Sequence, residues 1–319
     1  MTVENLLDPT VLARIGNLEL LARTVVDGFV NGLHRSPHLG SSTDFAEHRS
    51  YMPGDDIRGI DWKLYARTDR YYVKQFEADT NTNFMVLLDV SPSMRYRGAT
   101  DGPGSVSKLD YGCYLAAALS YFSSTQRDRV GLATFDQDIV EYVPPSSKHL
   151  RLVLHALERT AKYAATEAER SPGAASDTQS RAAALEAPLQ KLTESLRRRS
   201  IVLLISDLYE EPDAVLSALA NVRGRGNDMI VFHLLDRNEI EFPFADATNF
   251  IDLETGERMP LIPEYLRTQY REVVAQHTAT LGQKMREQRI DYALFDTSKP
   301  LDKALFTYLL ARERFSTAR

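Results

Sequence analysis

The chain is poor in cysteine, in tryptophan and in long apolar runs, and each shortage narrows what it can be. Cys113 is the one cysteine among 319 residues, so no intrachain disulfide can form, which fits a reducing compartment. It lies in LDYGCYLAAALSYF, a helix-like stretch, and reads as a small packed residue rather than a reactive thiol. No segment approaches the roughly 20 consecutive apolar residues of a membrane span. The opening residues, MTVENLLDPTVLARIG, lack the basic start and apolar block of a secretory leader, so a cytoplasmic location is expected. Basic residues are outnumbered as well. With 38 Lys and Arg against 44 Asp and Glu the formal charge is -6, which argues against nucleic acid as the main partner, because phosphate binding rests on a basic surface. Arg197, Arg198 and Arg199 form a local basic run, read as the last turn of a helix ahead of an apolar strand.

What is present is an alternation of two patterns. Residues 4 to 33 place Leu12, Ile15, Leu18, Leu21, Val25, Val26, Phe29 and Leu33 at helical spacing. From Phe45 to Glu77, short alternating runs surround a Pro-Gly-Asp-Asp turn, predicting small strands and a tight loop. From residue 84, runs with apolar centres (FMVLLDV, RVGLATFD, SIVLLISDL, DMIVFHLLD) alternate with amphipathic stretches. Such strands, separated by helices, predict an α/β fold with a mostly parallel sheet covered on both faces. IVEYVPP follows RVGLATFD across a tight Asp-Gln-Asp turn. The stretch 171 to 187 is small and polar, with a helix expected from Gln179 or Ser180. Glu254-Thr255-Gly256-Glu257 reads as a hairpin tip between NFIDL and RMPLI. A long helix over 263 to 289, the strand IDYALFDT and a closing helix complete the chain. Three regions follow: 1–80, an N-terminal helix and a β-rich segment; 81–240, the repeating α/β part; and 241–319, a hairpin, strand and helix completing the same fold.

Chemistry concentrates where two strands end. In an open parallel sheet, ligands sit beyond the carboxyl ends of the strands near a switch point in their order. LLDVSPSM ends in Asp89, Ser91 and Ser93, and VLLISDLYEE ends in Ser206-Asp207. An aspartyl nucleophile of the haloacid-dehalogenase type needs a second carboxylate two residues on. That position is Ser91, which cannot act as an acid or base at neutral pH. G-x-S-x-G and the P-loop pattern are both absent. A helix cap is the plainer alternative, since Ser and Asp after a strand often cap the next helix. A metal reading uses the same residues as hard oxygen donors: Ser91 and Ser93 directly, Asp89 and Asp207 directly or through water.

D-x-S-x-S after a first buried strand resembles the metal-ion-dependent adhesion motif of von Willebrand factor A domains. LLDVSPSMRYRG, DRVGLATFD and VLLISDL are similar to the first, second and fourth strands of such a domain. The text EHRSYMPGDDIRGIDWKLYARTDRYYVKQFE ahead of LLDVSPSM, and that from DLETGERM to the closing helix, resemble the bacterial DUF58 family. The resemblance implies a non-enzymatic, metal-dependent protein-interaction module holding Mg2+ (or Mn2+ or Ca2+) through Asp89, Ser91, Ser93, Thr178 and Asp207. Ser176 and Ser180 are alternatives to Thr178. It also implies partnership with a MoxR-type AAA+ ATPase or its client, captured through an acidic side chain. The competing class is a divalent-metal phosphohydrolase using Asp89. A second cluster, Asp55, Asp56, Arg58, Asp61 and Trp62, reads either as a docking surface or as a turn that packs its own segment. His34 and His38 flank Pro37 and read as loop.

Overall fold

The computed structural model describes residues 18–23, 25–26, 48–50, 62–74, 82–98, 106–168, 185–196, 198–301 and 305. Two compact units emerge, residues 33–81 on one side and residues 1–32 with 82–319 on the other.

The smaller unit pairs β1 (His48–Ser50) antiparallel with β2 (Tyr72–Lys74), and carries the helix α1 (Trp62–Thr68) between them. The strand pairing follows the alternating text. The helix was not anticipated from it, since seven residues are too few to show a clear helical period. Tyr65 stacks on Tyr71 with ring centroids 4.6 Å apart.

The larger unit is built on a six-stranded sheet. Its strands are β3 (Asn83–Asp89), β4 (Arg129–Phe135), β5 (Ile139–Ser146), β6 (Ser200–Ser206), β7 (Asp228–Leu235) and β10 (Asp291–Asp296), in the spatial order β10-β7-β6-β3-β4-β5. All neighbours are parallel except β4 and β5, which are joined by the tight turn and pair antiparallel at one edge. The helices are α2 (Lys108–Thr125), α3 (Leu150–Ala168), α4 (Glu186–Ser195), α5 (Pro212–Gly224) and, after β7, the short α6 (Arg237–Glu241). A hairpin of β8 (Thr248–Ile251) and β9 (Arg258–Leu261) and the long helix α7 (Pro263–Glu287) lead into β10. The mixed α/β architecture with a mostly parallel sheet matches the sequence pattern. The hairpin and the long helix stand where the pattern placed them. The helix anticipated from residue 179 or 180 is described over Glu186–Ser195. Among the described residues no helix is long and apolar enough to cross a membrane.

The pleat explains why these strands are apolar throughout. Side chains alternate between faces with a period of two. On β3, Phe84, Val86 and Leu88 enter one core while Met85 and Leu87 enter the other. On β6, Leu203 and Ile205 point one way and Val202 and Leu204 the other. The first core takes Leu18, Leu21, Ala22, Val25 and Val26 of the N-terminal helical residues, with α2 and α3. The second takes α4, α5 and the end of α7. Helix α2 is buried over most of its length, and its start is set by a capping box: Ser107 Oγ accepts from the Asp110 amide (3.1 Å), and the Asp110 carboxylate accepts from the Ser107 amide (3.2 Å). Cys113 lies in this helix, fully buried, its thiol pushed up by burial and by Asp110. That is the packed, inert cysteine expected.

Two glycines test the packing with opposite signs. A Cβ on Gly131 would lie 2.8 Å from the Val143 carbonyl and 2.9 Å from both Met85 Sδ and the Pro145 nitrogen. A Cβ on Gly224, at the end of α5, would meet nothing within 4 Å. Gly131→Ala is expected to destabilise by about 1–3 kcal/mol, and Gly224→Ala to stabilise by about 0.4–1 kcal/mol. Urea melts of the two variants check both.

Candidate functional site

Strand order fixes where a site can form. From β3 the chain runs outward through β4 and β5, then crosses back to place β6 on the other side of β3. The crevice beyond the carboxyl ends of β3 and β6 is therefore the switch point. Asp89 ends β3, and Asp207 immediately follows β6.

Both acids are buried. Asp89 Oδ1 accepts the Ser91 amide at 2.9 Å, and its Oδ2 accepts the Ser206 hydroxyl at 2.6 Å. Ser206 Oγ in turn accepts the Leu208 amide at 3.1 Å, so one serine ties Asp89 to the turn after β6. That turn places Leu208 at φ 45°, a left-handed conformation costing a non-glycine residue about 1–2 kcal/mol. The His277 ring nitrogen lies 2.9 Å from the Leu208 carbonyl and helps hold it. Ser91 Oγ and Ser93 Oγ stand 3.1 Å apart. The Ser93 amide donates to Glu254 Oε1 at 2.7 Å, bringing the hairpin tip to the same loop.

Asp89, Ser91, Ser93 and Asp207 line one cleft of about 390 Å³. Asp136, Glu210, Glu211, Asp252 and Glu254 line it too, making seven carboxylates with no lysine or arginine among its described lining residues. Burial first, and then the negative charge of Asp207, push the Asp89 carboxyl up to about 7. Burial also raises Glu210, with Asp207 and Glu254 adding to it. These shifts mark a cleft short of positive charge.

The balancing cation lies beneath the floor. Lys108 is the first residue of α2 and is fully buried. Its Nζ donates to Asp207 Oδ2 at 2.8 Å, to Glu239 Oε1 at 2.7 Å and to the Tyr209 hydroxyl at 3.3 Å. It also lies 4.8 Å from the centroid of the Tyr209 ring. Burial pulls its pKa down, but Asp207 and Glu239 outweigh that and leave it raised, so Lys108 stays charged. Glu239 is held by a second capping box at α6, in which it accepts the Asp236 amide at 2.7 Å.

The structure thus brings together Asp89, Ser91, Ser93 and Asp207 of the expected metal set. Thr178 and its alternatives Ser176 and Ser180 lie outside the described residues, as do Asp55, Asp56, Arg58 and Asp61. Of Trp62 only the backbone is described, at the start of α1. Sequence reasoning missed Lys108, Ser206, Glu239 and Glu254 as partners of the site. Only Glu239 left a local signal, the Asp-x-x-Glu box at 236–239.

The donors fit a hard divalent cation. They are all oxygens, two carboxylates and two hydroxyls, and such an ion keeps several waters. No cluster of three or more His, Cys, Asp or Glu suited to a metal occurs among the described residues, so an ion here would rest on this mixed set and water. The raised Asp89 carboxyl supports the fit, because an adjacent cation favours its charged form.

Two outcomes follow. Asp89 ionises near 7 in the folded chain but near 4 when unfolded. Between these values the folded state holds a proton that the unfolded state has released, so this group's contribution to stability falls as pH rises through that window. In the presence of a chelator, thermal melts from pH 4 to 8 should show wild type losing stability relative to Asp89→Asn. Parallel curves would contradict the assignment. Lys108→Met leaves the buried Asp207 and the partly buried Glu239 without their cation and is expected to cost about 3–5 kcal/mol in a denaturant melt.

The family model described as Protein of unknown function DUF58 matches residues 47–280. Uncharacterized proteins of Mycobacterium bovis and Mycobacterium tuberculosis are each 28% identical over 280 residues, covering 88% of this chain and 82% of theirs. Among solved structures, the conserved hypothetical protein BatB from Bacteroides thetaiotaomicron aligns at 16% identity with a TM-score of 0.43, over 73% of this chain and 99% of that one. With the match spanning most of the length and including both strand-end acids, the chain belongs to the DUF58 family.

Proposed function

We propose that the protein is a metal-dependent protein-interaction module. A divalent cation, Mg2+ or in its place Mn2+ or Ca2+, is held at the cleft by Asp89, Ser91, Ser93 and Asp207, with Thr178 as a further donor. A carboxylate from a partner protein completes its coordination. The observation that carries this reading is the convergence of the two strand-end acids and the two serines on one electronegative cleft. The residue two positions after Asp89 is a hydroxyl, so the cleft lacks the acid–base partner that an aspartyl-phosphate mechanism takes from that position. The reading is accordingly an adhesion site and not an enzyme.

The partner is an acidic surface of a MoxR-type AAA+ ATPase or of its client, with this chain as the adaptor. That assignment rests on the resemblance of the D-x-S-x-S strand and its flanking text to A-domain proteins associated with such ATPases.

Isothermal titration with Mn2+ tests the metal. Wild type should bind one ion per chain. Ser206→Ala, which removes the hydrogen bond orienting Asp89 together with the acceptor of the Leu208 amide, should weaken binding by about 10- to 100-fold, and Asp89→Ala by more. Equal heats for wild type and Asp89→Ala would refute the site. Recovery of the ATPase by the tagged chain should be lost in EDTA. Turnover of p-nitrophenyl phosphate that needs Mg2+ and disappears in Asp89→Asn would replace the adaptor with the phosphohydrolase.

A further inference from the structure

The hairpin β8–β9 is a sparsely packed arm with a firmly built tip. None of its strand residues is fully buried. The strand β8 is anchored by aromatic packing, with Phe250 5.6 Å from Phe242 and 5.1 Å from Phe244, centroid to centroid. At the tip, Asp252 Oδ1 accepts the amides of Glu254 (2.7 Å) and Thr255 (3.3 Å). The Gly256 amide donates to the Asp252 carbonyl at 2.7 Å, with Gly256 at φ +72°, a conformation that suits glycine. This turn presents Glu254, which reaches across 161 residues of sequence to accept the Ser93 amide at 2.7 Å. Glu254 lines the same cleft as Asp89, Ser91, Ser93 and Asp207. Its side chain is chemically what a partner's acidic residue would bring, and it is already seated against one of the serines.

We propose that Glu254 is the internal ligand of the cleft. It takes the place into which a partner's carboxylate docks, and a partner gains the site by displacing it. The proposal rests on the reading of the cleft as a cation site. Tethering gives it force. A group held on a short segment competes at an effective concentration on the order of millimolar, so a lone carboxylate in solution loses to it while a multivalent acidic surface does not. An occupant present nine-tenths of the time raises a competitor's apparent Kd about tenfold.

The test uses the full chain with Mn2+ as the ion and propionate as the probe, since propionate carries a single carboxylate on a short apolar stem. Water-proton relaxation reports the loss of a Mn2+-bound water when a carboxylate binds. Each protein is first saturated with Mn2+, and propionate is then titrated. Half-saturating propionate should fall about tenfold in Glu254→Ala, and Glu254→Gln, which keeps the length and the hydrogen-bonding oxygen without the charge, should shift in the same direction. The Mn2+ affinity of both variants should fall only a few-fold. Coincident propionate curves for wild type and variants would overturn the internal ligand while leaving the cation site standing. Failure of wild type to bind Mn2+ would overturn both. Loss of Mn2+ binding in the variants alone would make Glu254 a ligand the ion cannot do without and overturn the displacement.

Discussion

Two carboxylates at the ends of neighbouring buried strands repel each other, and the larger unit is arranged around that repulsion. Asp89 and Asp207 lie side by side because β3 and β6 are parallel neighbours in close register. Burial strips both of water, which raises the cost of charge on either. Among the described residues the counter-charge comes from below, the Lys108 ammonium on Asp207, and none of the cleft's described lining residues is a lysine or arginine. Asp207 thereby has a cation against it from beneath, while Asp89 stays short of positive charge on the open side. An electronegative cleft with that imbalance suits a cation arriving from solvent.

Much of the surrounding architecture keeps this arrangement in place. The capping box of Ser107 and Asp110 fixes where α2 begins, and so where Lys108 points. The second box, of Asp236 and Glu239, gives Lys108 its other acid. Ser206 bonds Asp89 on one side and the Leu208 amide on the other, in a turn strained enough to place a leucine in the left-handed region. Such strain persists where surrounding contacts over-determine it, and it clusters at functional sites. The hairpin tip then reaches the Ser91–Ser93 loop through Glu254. The site therefore draws on β3, β6, α2, α6 and the hairpin together.

The sheet was readable in the sequence because a strand buried on both faces must be apolar through its middle, and FMVLL and IVLLI are. The strand-end acids were readable because Asp89 and Asp207 interrupt those runs abruptly. Lys108 was not readable. A lysine at the start of a helix is ordinarily solvated, and only the fold shows that this one is buried between two acids. Ser206 reads as the polar end of a strand until the partner strand is placed beside it. Glu254 lies 161 residues from Ser93, and no periodicity encodes that contact. The short α6 carried its Asp-x-x-Glu box in plain view, but five residues show no helical period to draw the eye.

The central claim is that the cleft between Asp89 and Asp207 binds a divalent cation through Ser91 and Ser93. Anomalous diffraction at the manganese edge, on crystals of the full chain equilibrated with Mn2+, addresses it directly. The account predicts a single strong peak bonded to the Ser91 and Ser93 hydroxyls, with Asp89 and Asp207 coordinating it directly or through water and Lys108 still on Asp207. A cleft without a peak at saturating Mn2+, or a peak held only by Glu210, Asp252 and Glu254 at the rim, would contradict it.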